Sequence, residues 1–189
     1  MTIKLRRGFK KEAEERALEL RNELGLAHYA PIDVFALAEW LAIPAVPLCA
    51  LAEYVPDIHL AHFRNVESEV FSGVTIHHGV RRLILYNDAH ADVRLNSTIA
   101  HELAHALLGH SPSPLADDDG KRNRNAEIEA EANWLSGAIL VPQPAAMKIV
   151  FNNLSVSDAA VQYAVSESMI RYRLRVSGAQ TIFRRCKSR

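Results

Sequence analysis

The sequence has little cysteine, no net charge and no long apolar run. Its 189 residues contain two cysteines, Cys49 and Cys186, which excludes a disulfide-rich scaffold and a cysteine-rich structural zinc site. Basic and acidic residues number 22 each, so no overall electric field attracts nucleic acid or a membrane surface. No run approaches the roughly 20 apolar residues of a membrane span, and the basic N-terminus lacks a signal peptide's apolar stretch. These absences predict a globular protein of the cytoplasm that contacts no membrane.

A pair of histidines four residues apart is the most informative feature that is present. His101 and His105 stand in the pattern His-Glu-x-x-His. Residues i and i+4 of a helix project from the same face on successive turns, so the two imidazoles can hold one metal ion. Apolar residues at i, i+4 and i+8 form the opposite stripe, and Gly109 is placed to end the helix. The pattern predicts an amphipathic helix whose metal ligands face the open side.

Glu102 lies between the two histidines in the same motif. At 3.6 residues per turn it projects roughly 100° from His101 and roughly 60° from His105, which places its carboxylate beside the metal. A carboxylate there can take a proton from a zinc-bound water. We therefore predict that His101 and His105 bind zinc and that Glu102 is the catalytic base. The donor that stabilises the oxyanion is not identified, and Tyr86 and His110 are its candidates.

Catalytic zinc normally has three protein ligands, so one is needed besides the two histidines. A helix predicted over residues 126–140 offers three glutamates as candidates for this third ligand. Glu127 and Glu131 share a face at i and i+4, whereas Glu129 projects nearly opposite and is expected in solvent. Helical geometry alone does not choose between Glu127 and Glu131.

Two segments resemble ImmA/IrrE-type metallopeptidases. The run from Glu131 to Pro142, E-A-N-W-L-S-G-A-I-L-V-P, is similar to that family's segment E-A-N-x-F-A-x-x-L-L-M-P, and R-x-x-x-T-I-A-H-E from Arg94 is similar to its first motif. In the family, the glutamate before Ala-Asn is the third zinc ligand, so the resemblance implies that Glu131 completes the site. It implies one Zn²⁺, with Mn²⁺ as the alternative metal. It also implies an endopeptidase that cleaves a helix-turn-helix transcriptional repressor and releases the repressed genes.

The remaining pattern predicts a mostly helical α+β protein. Further helices are expected over residues 10–24 and 31–42, with a short edge strand over 45–48. Strands over 70–76 and 81–86, joined by a turn at 77–80, predict an antiparallel hairpin. Residues 49–67 and 111–125 are predicted as loops, the second as a rim over the cleft. We expect a minimal zincin-like peptidase core with a small antiparallel sheet in residues 1–150.

Residues 151–189 form the second predicted unit. Their pattern around Val165 and Ser166 resembles the helix-turn-helix-like unit that follows the peptidase core in the same family. Seven basic residues and no acidic one lie between Arg171 and Arg189, a stripe that could contact DNA phosphates. A helix pair packed on the core, with a solvated basic tail, explains the stripe without DNA and is favoured. The rival function is a non-proteolytic regulatory module that binds a repressor, a toxin or DNA, but an intact metal motif favours the enzyme.

Overall fold

The computed structural model describes residues 5–66, 71–110 and 126–187. These ranges contain nine α-helices and three strands, which confirms the predicted mostly helical α+β class. In chain order they are α1 Phe9–Glu23, α2 Val34–Trp40, β1 Ala45–Pro47, α3 Asp57–Ala61, β2 Gly73–His78, β3 Arg81–Tyr86, α4 Asp92–Leu107, α5 Ala126–Leu140, α6 Gln143–Phe151, α7 Val156–Gln162, α8 Glu167–Val176 and α9 Ala179–Lys187. The predicted loop over residues 111–125 lies outside the described residues.

Some segments predicted as loops or left unassigned are helical. A 3₁₀ turn at Leu48–Leu51, α3 and a π turn at His62–Val66 occupy much of the predicted loop 49–67. Prolines explain the error, because Pro56 directly precedes α3, and Pro142 and Pro144 lie at the N-cap and in the first turn of α6. Proline is tolerated at a helix start, where its missing N–H has no partner to lose. Pro56 and Pro142 therefore stand at the starts of α3 and α6, and Pro142 also follows the end of α5 at Leu140.

The sheet has three strands in the order β1-β3-β2. The predicted hairpin of β2 and β3 is confirmed, but its turn is shorter than predicted and consists of Gly79 and Val80, with Gly79 at φ +60°. β1 pairs with β3 in parallel, so the sheet is mixed rather than purely antiparallel. Within the described ranges β2 pairs with β3 only and is therefore an edge strand.

β2 lies directly against α4. A Cβ at Gly73 would come within 2.6 Å of Thr98 Cγ2, so glycine permits this close approach of strand and helix. Arg94 Nη2 of α4 donates to Ser72 Oγ at 2.9 Å, just before the strand. Asn87 is fully buried, and its Nδ2 donates to the carbonyls of Phe63 and Phe71 at 3.0 and 3.1 Å. These contacts hold the start of β2 beside the helix that carries the histidines.

α5 is the central helix of one hydrophobic cluster that runs from Phe9 to Ala179 and includes residues on both sides of the predicted boundary at 150/151. Its residues from Trp134 to Leu140 are all buried, so the second half of the helix has no solvent-facing side. In the part of the chain that the structure describes, no single helix is long and apolar enough to cross a membrane. α5 and α6 pass that test only as a pair bent by 50°.

Two fully buried arginines donate hydrogen bonds to backbone carbonyls at the C-terminal end of α5. Arg21 Nη2 donates to Ile139 O and Arg173 Nε to Val141 O, both at 2.7 Å. Burial lowers the pKa of Arg21 to about 10, and Arg173 forms an ion pair with Glu14. The absence of a side chain at Gly137 makes room for Arg173, whose Cδ would lie 3.2 Å from an added Cβ. These bonds set the position of α5 along its axis, and with it the position of the glutamates in its first turns.

Candidate metal centre

Three side chains from α4 and α5 bring potential metal ligands together. One ligand atom each from His101, His105 and Glu129 lies within 4.8 Å of the other two. The Nε2 atoms of the two histidines are 3.0 Å apart, and Glu129 Oε2 is 3.4 Å from His101 Nε2. Glu129 Oε1 is 3.8 Å from His105 Nε2. Two imidazole nitrogens and one carboxylate are the donor set of many catalytic zinc sites, so these residues fit the metal that the motif implies.

Glu129, and not Glu131, is the glutamate that the structure brings to the histidine pair. The expectation that Glu129 faces solvent is wrong, because 24 % of its side chain is exposed and its carboxylate contacts both imidazoles. Glu131 contacts other groups: its Oε1 lies 3.2 Å from Arg6 Nε and its Oε2 lies 3.6 Å from His110 Nε2. The third-ligand prediction for Glu131 thus disagrees with the geometry of the site.

The burial of the second half of α5, from Trp134 to Leu140, explains this error. Glu129 begins a stripe that contains Ala132 at i+3 and Ser136 at i+7. Glu131 begins one that contains Leu135 at i+4 and Ala138 at i+7. All four of these later residues are buried. Both stripes therefore lead into the core, so their later residues do not indicate which glutamate meets the histidines.

Glu102 is oriented by a residue that the sequence did not single out. Thr75 Oγ1, from β2, donates a hydrogen bond of 2.6 Å to Glu102 Oε2. The bond exists because Gly73, two residues earlier on the same face of the strand, lets β2 approach α4. The hydrogen bond uses Oε2 of Glu102, and Oε1 takes no part in it. No local pattern could have indicated Thr75, since the pair is separated by 27 residues.

Comparison with known families agrees with this architecture. The peptidase family model Peptidase_M78, described as the IrrE N-terminal-like domain, matches residues 55–175, which is more than half of the chain. The chain belongs to this family. The matched range contains β2, β3, both helices that carry the candidate metal ligands and most of α8. No curated protein matches the chain significantly.

We expect Thr75→Val to lower kcat/KM for peptide cleavage about tenfold, with unchanged metal content. Valine keeps the volume but removes a hydrogen bond to a charged group, an interaction worth about 1.5 kcal/mol. The measurement is the steady-state cleavage rate, together with the metal-to-protein ratio. Thr75→Ser, which keeps the hydroxyl, is the control. Equal rates for the valine and wild-type proteins would show that Glu102 needs no support from β2.

The two candidates for oxyanion stabilisation lie in different surroundings. Tyr86 ends β3, and its ring packs edge-on against Phe35 of α2 at a centroid distance of 5.6 Å. Burial raises the pKa of its phenol. His110 follows α4, and its Nδ1 lies 2.9 Å from Nδ1 of His105. Neither contact identifies an oxyanion donor, and the role stays a prediction for both residues.

The predicted helix pair of the C-terminal unit corresponds to α7 and α8. Its turn is tied to the rest of the molecule, because Tyr163 Oη donates to Tyr29 O at 2.8 Å and Asn96 Nδ2 to Ala164 O at 3.0 Å. Arg173, one member of the basic stripe, is fully buried and therefore cannot reach a phosphate. Arg171 is exposed and pairs with Glu167 at 2.9 Å. DNA contact by this unit stays an untested prediction.

Proposed function

We propose that the chain is a zinc-dependent endopeptidase whose metal is held by His101, His105 and Glu129. The observation that carries the proposal is the convergence of their three ligand atoms beside Glu102, in a member of a peptidase family. Zinc is preferred to manganese because imidazole nitrogen suits zinc, whereas manganese favours oxygen ligands. When bound, the ion would lower the pKa of a coordinated water to about 7 and polarise the scissile carbonyl.

Glu102 acts as general base and then as general acid in this proposal. Its Oε2 accepts the hydrogen bond from Thr75, which leaves Oε1 to take the proton of the attacking water. The same oxygen then delivers the proton to the amine of the leaving peptide. The hydroxyl of Thr75 keeps the carboxylate in one orientation through both transfers.

The edge of β2 is the proposed binding site for an extended substrate. Asn87 N–H donates to Ser72 O at 3.0 Å, and the alternation of antiparallel pairing then directs the backbone groups of Gly73, Thr75 and His77 away from β3. A peptide can pair with these groups as an additional strand. Because Thr75 also contacts Glu102, such a peptide would lie beside the catalytic base.

The proposed substrate is a helix-turn-helix transcriptional repressor, whose cleavage releases its target genes. This part of the proposal is supported by the resemblance to ImmA/IrrE-type metallopeptidases. Because such a repressor acts in the cytoplasm, we propose the same location for the activity. Binding by β-strand addition requires that the cleaved segment be extended, so we expect the scissile bond to lie in a linker and not inside a folded helix.

The test is incubation with a small helix-turn-helix repressor, taken from the neighbouring gene if that gene encodes one, with and without a chelator, read on a gel. We expect discrete fragments whose formation stops with chelator and resumes when Zn²⁺ is added back. An unrelated folded protein serves as the control for specificity. A stable, uncut complex in the presence of zinc would contradict the peptidase proposal and favour the non-proteolytic module.

A further inference from the structure

We propose that His110 and Glu131 form a positioning network that orients the ligand His105 from the side away from the metal. The inference rests on the proposed function, since it concerns the same metal centre. It assigns a role to the two residues that lie next to the cluster but outside it. Neither residue supplies a ligand atom to the group formed by His101, His105 and Glu129.

A series of side-chain contacts begins at His105 and leads away from the cluster of candidate ligands. Its Nε2 faces the cluster, and its Nδ1 lies 2.9 Å from His110 Nδ1. On the other side of the His110 ring, Nε2 lies 3.6 Å from Glu131 Oε2, and Glu131 Oε1 lies 3.2 Å from Arg6 Nε. Only 10 % of the His110 side chain is exposed, so this ring is held among protein groups.

The end of α4 is built to return His110 to this position. Gly109 adopts φ +66°, a left-handed conformation that glycine adopts without strain. The chain then turns back, and His110 N–H donates to His105 O at 3.1 Å, the bond that closes a Schellman cap. The residue that caps the last turn of the helix is thus the residue whose ring meets His105.

One arrangement of protons satisfies every contact. If the lone pair of His105 Nε2 binds the metal, the proton of this imidazole is on Nδ1 and can be donated to His110 Nδ1. His110 then carries its own proton on Nε2, which points toward the carboxylate of Glu131. A group that accepts the outer N–H of a metal-bound histidine fixes the ring and its tautomer. In this arrangement His110 is that group, and Glu131, 3.6 Å from His110 Nε2, favours the proton on the side of His110 that faces it. The charge of Glu131 therefore supports the metal site without contact with the ion.

Two variants of His110 separate this role from simple packing. The side-chain amide of His110→Asn places an acceptor near the position of Nδ1, whereas the longer His110→Gln mimics Nε2 and leaves Nδ1 of His105 without its partner. We expect His110→Gln to weaken Zn²⁺ binding by about 10- to 100-fold, the range for residues that support metal ligands. The Zn²⁺ affinity of His110→Asn should remain closer to that of the wild-type protein. The affinity is measured on the full chain by competition with a chromophoric chelator.

Co²⁺ substitution gives a second measurement that does not depend on activity. We expect the visible absorption of the bound Co²⁺ to shift in His110→Gln and to remain near wild type in His110→Asn, because only the former frees the His105 ring. Glu131→Ala should weaken Zn²⁺ binding by about tenfold, at the lower end of the same range. Glu127→Gln, which removes an exposed charge from the same helix, is the control and should bind like wild type.

Equal affinities and spectra for the Asn, Gln and wild-type proteins would overturn the positioning network. The reverse order, with Gln closer to wild type than Asn, would also overturn it. Tight metal binding by the wild type without any proteolysis would overturn the proposed peptidase function instead, and the comparison of the His110 variants would still decide the role of the network.

Discussion

Glu102→Gln is expected to lower kcat/KM by about 10²- to 10⁴-fold while the protein still binds one Zn²⁺. The amide has nearly the shape of the carboxylate and can still accept the hydrogen bond from Thr75, but it cannot accept a proton from water. Cleavage of a peptide substrate measures the loss, and the metal-to-protein ratio shows that the site is intact. Both measurements are needed, because loss of the metal would also abolish activity.

The control for this experiment is Glu127→Gln, which makes the same chemical change at an exposed position of α5. It should retain full activity. Wild-type cleavage by Glu102→Gln with bound metal would remove Glu102 from the mechanism and require another base. Loss of the metal in the same variant would instead assign Glu102 a part in binding.

Glu129→Ala is expected to weaken Zn²⁺ binding by more than about 100-fold, whereas Glu131→Ala should weaken it by about tenfold. The first variant removes a ligand atom from the cluster, and the second removes a residue that acts on the metal only through His110. The two variants are matched, since they make the same change two residues apart on one helix. Zinc affinity by chelator competition measures both.

The ranking of the two glutamate variants decides between geometry and sequence resemblance. If Glu131→Ala loses zinc and Glu129→Ala retains it, the third ligand is the one that the family segment implied, and the positioning network fails with it. Equal, small losses of zinc affinity in both variants would mean that the metal is held without either carboxylate. The contact of Glu131 with Arg6, at 3.2 Å, favours the outer position for Glu131.

Features set by local spacing were predictable from the sequence. The register of His101 and His105 follows from helical periodicity, and the end of their helix follows from Gly109. The hairpin of β2 and β3 was also predictable, because two apolar segments flank a glycine. In each case the determining residues lie within a few positions of each other.

Features that join distant segments could not be predicted in the same way. The bond between Thr75 and Glu102 requires β2 to lie on α4, and that approach depends on a glycine whose role is visible only in the packed structure. The parallel pairing of β1 with β3 likewise joins distant segments, since Ala45 pairs with Ile84. Such contacts are decided by the free energy of packing the whole core, which no local pattern contains.

The sequence by itself determined the helix that carries the histidine pair, the position of Glu102 between the two histidines and the class of fold. Tertiary structure alone decided which glutamate of α5 meets the histidine pair, and it placed His110 and Glu131 behind His105. The physical reason is that α5 is buried on all sides from Trp134 to Leu140, so its rotation about its own axis is determined by packing against α1 and α4 and by the two arginines bound at its C-terminal end. Periodicity predicts the relative angles of the three glutamates, and packing determines the direction in which each one points.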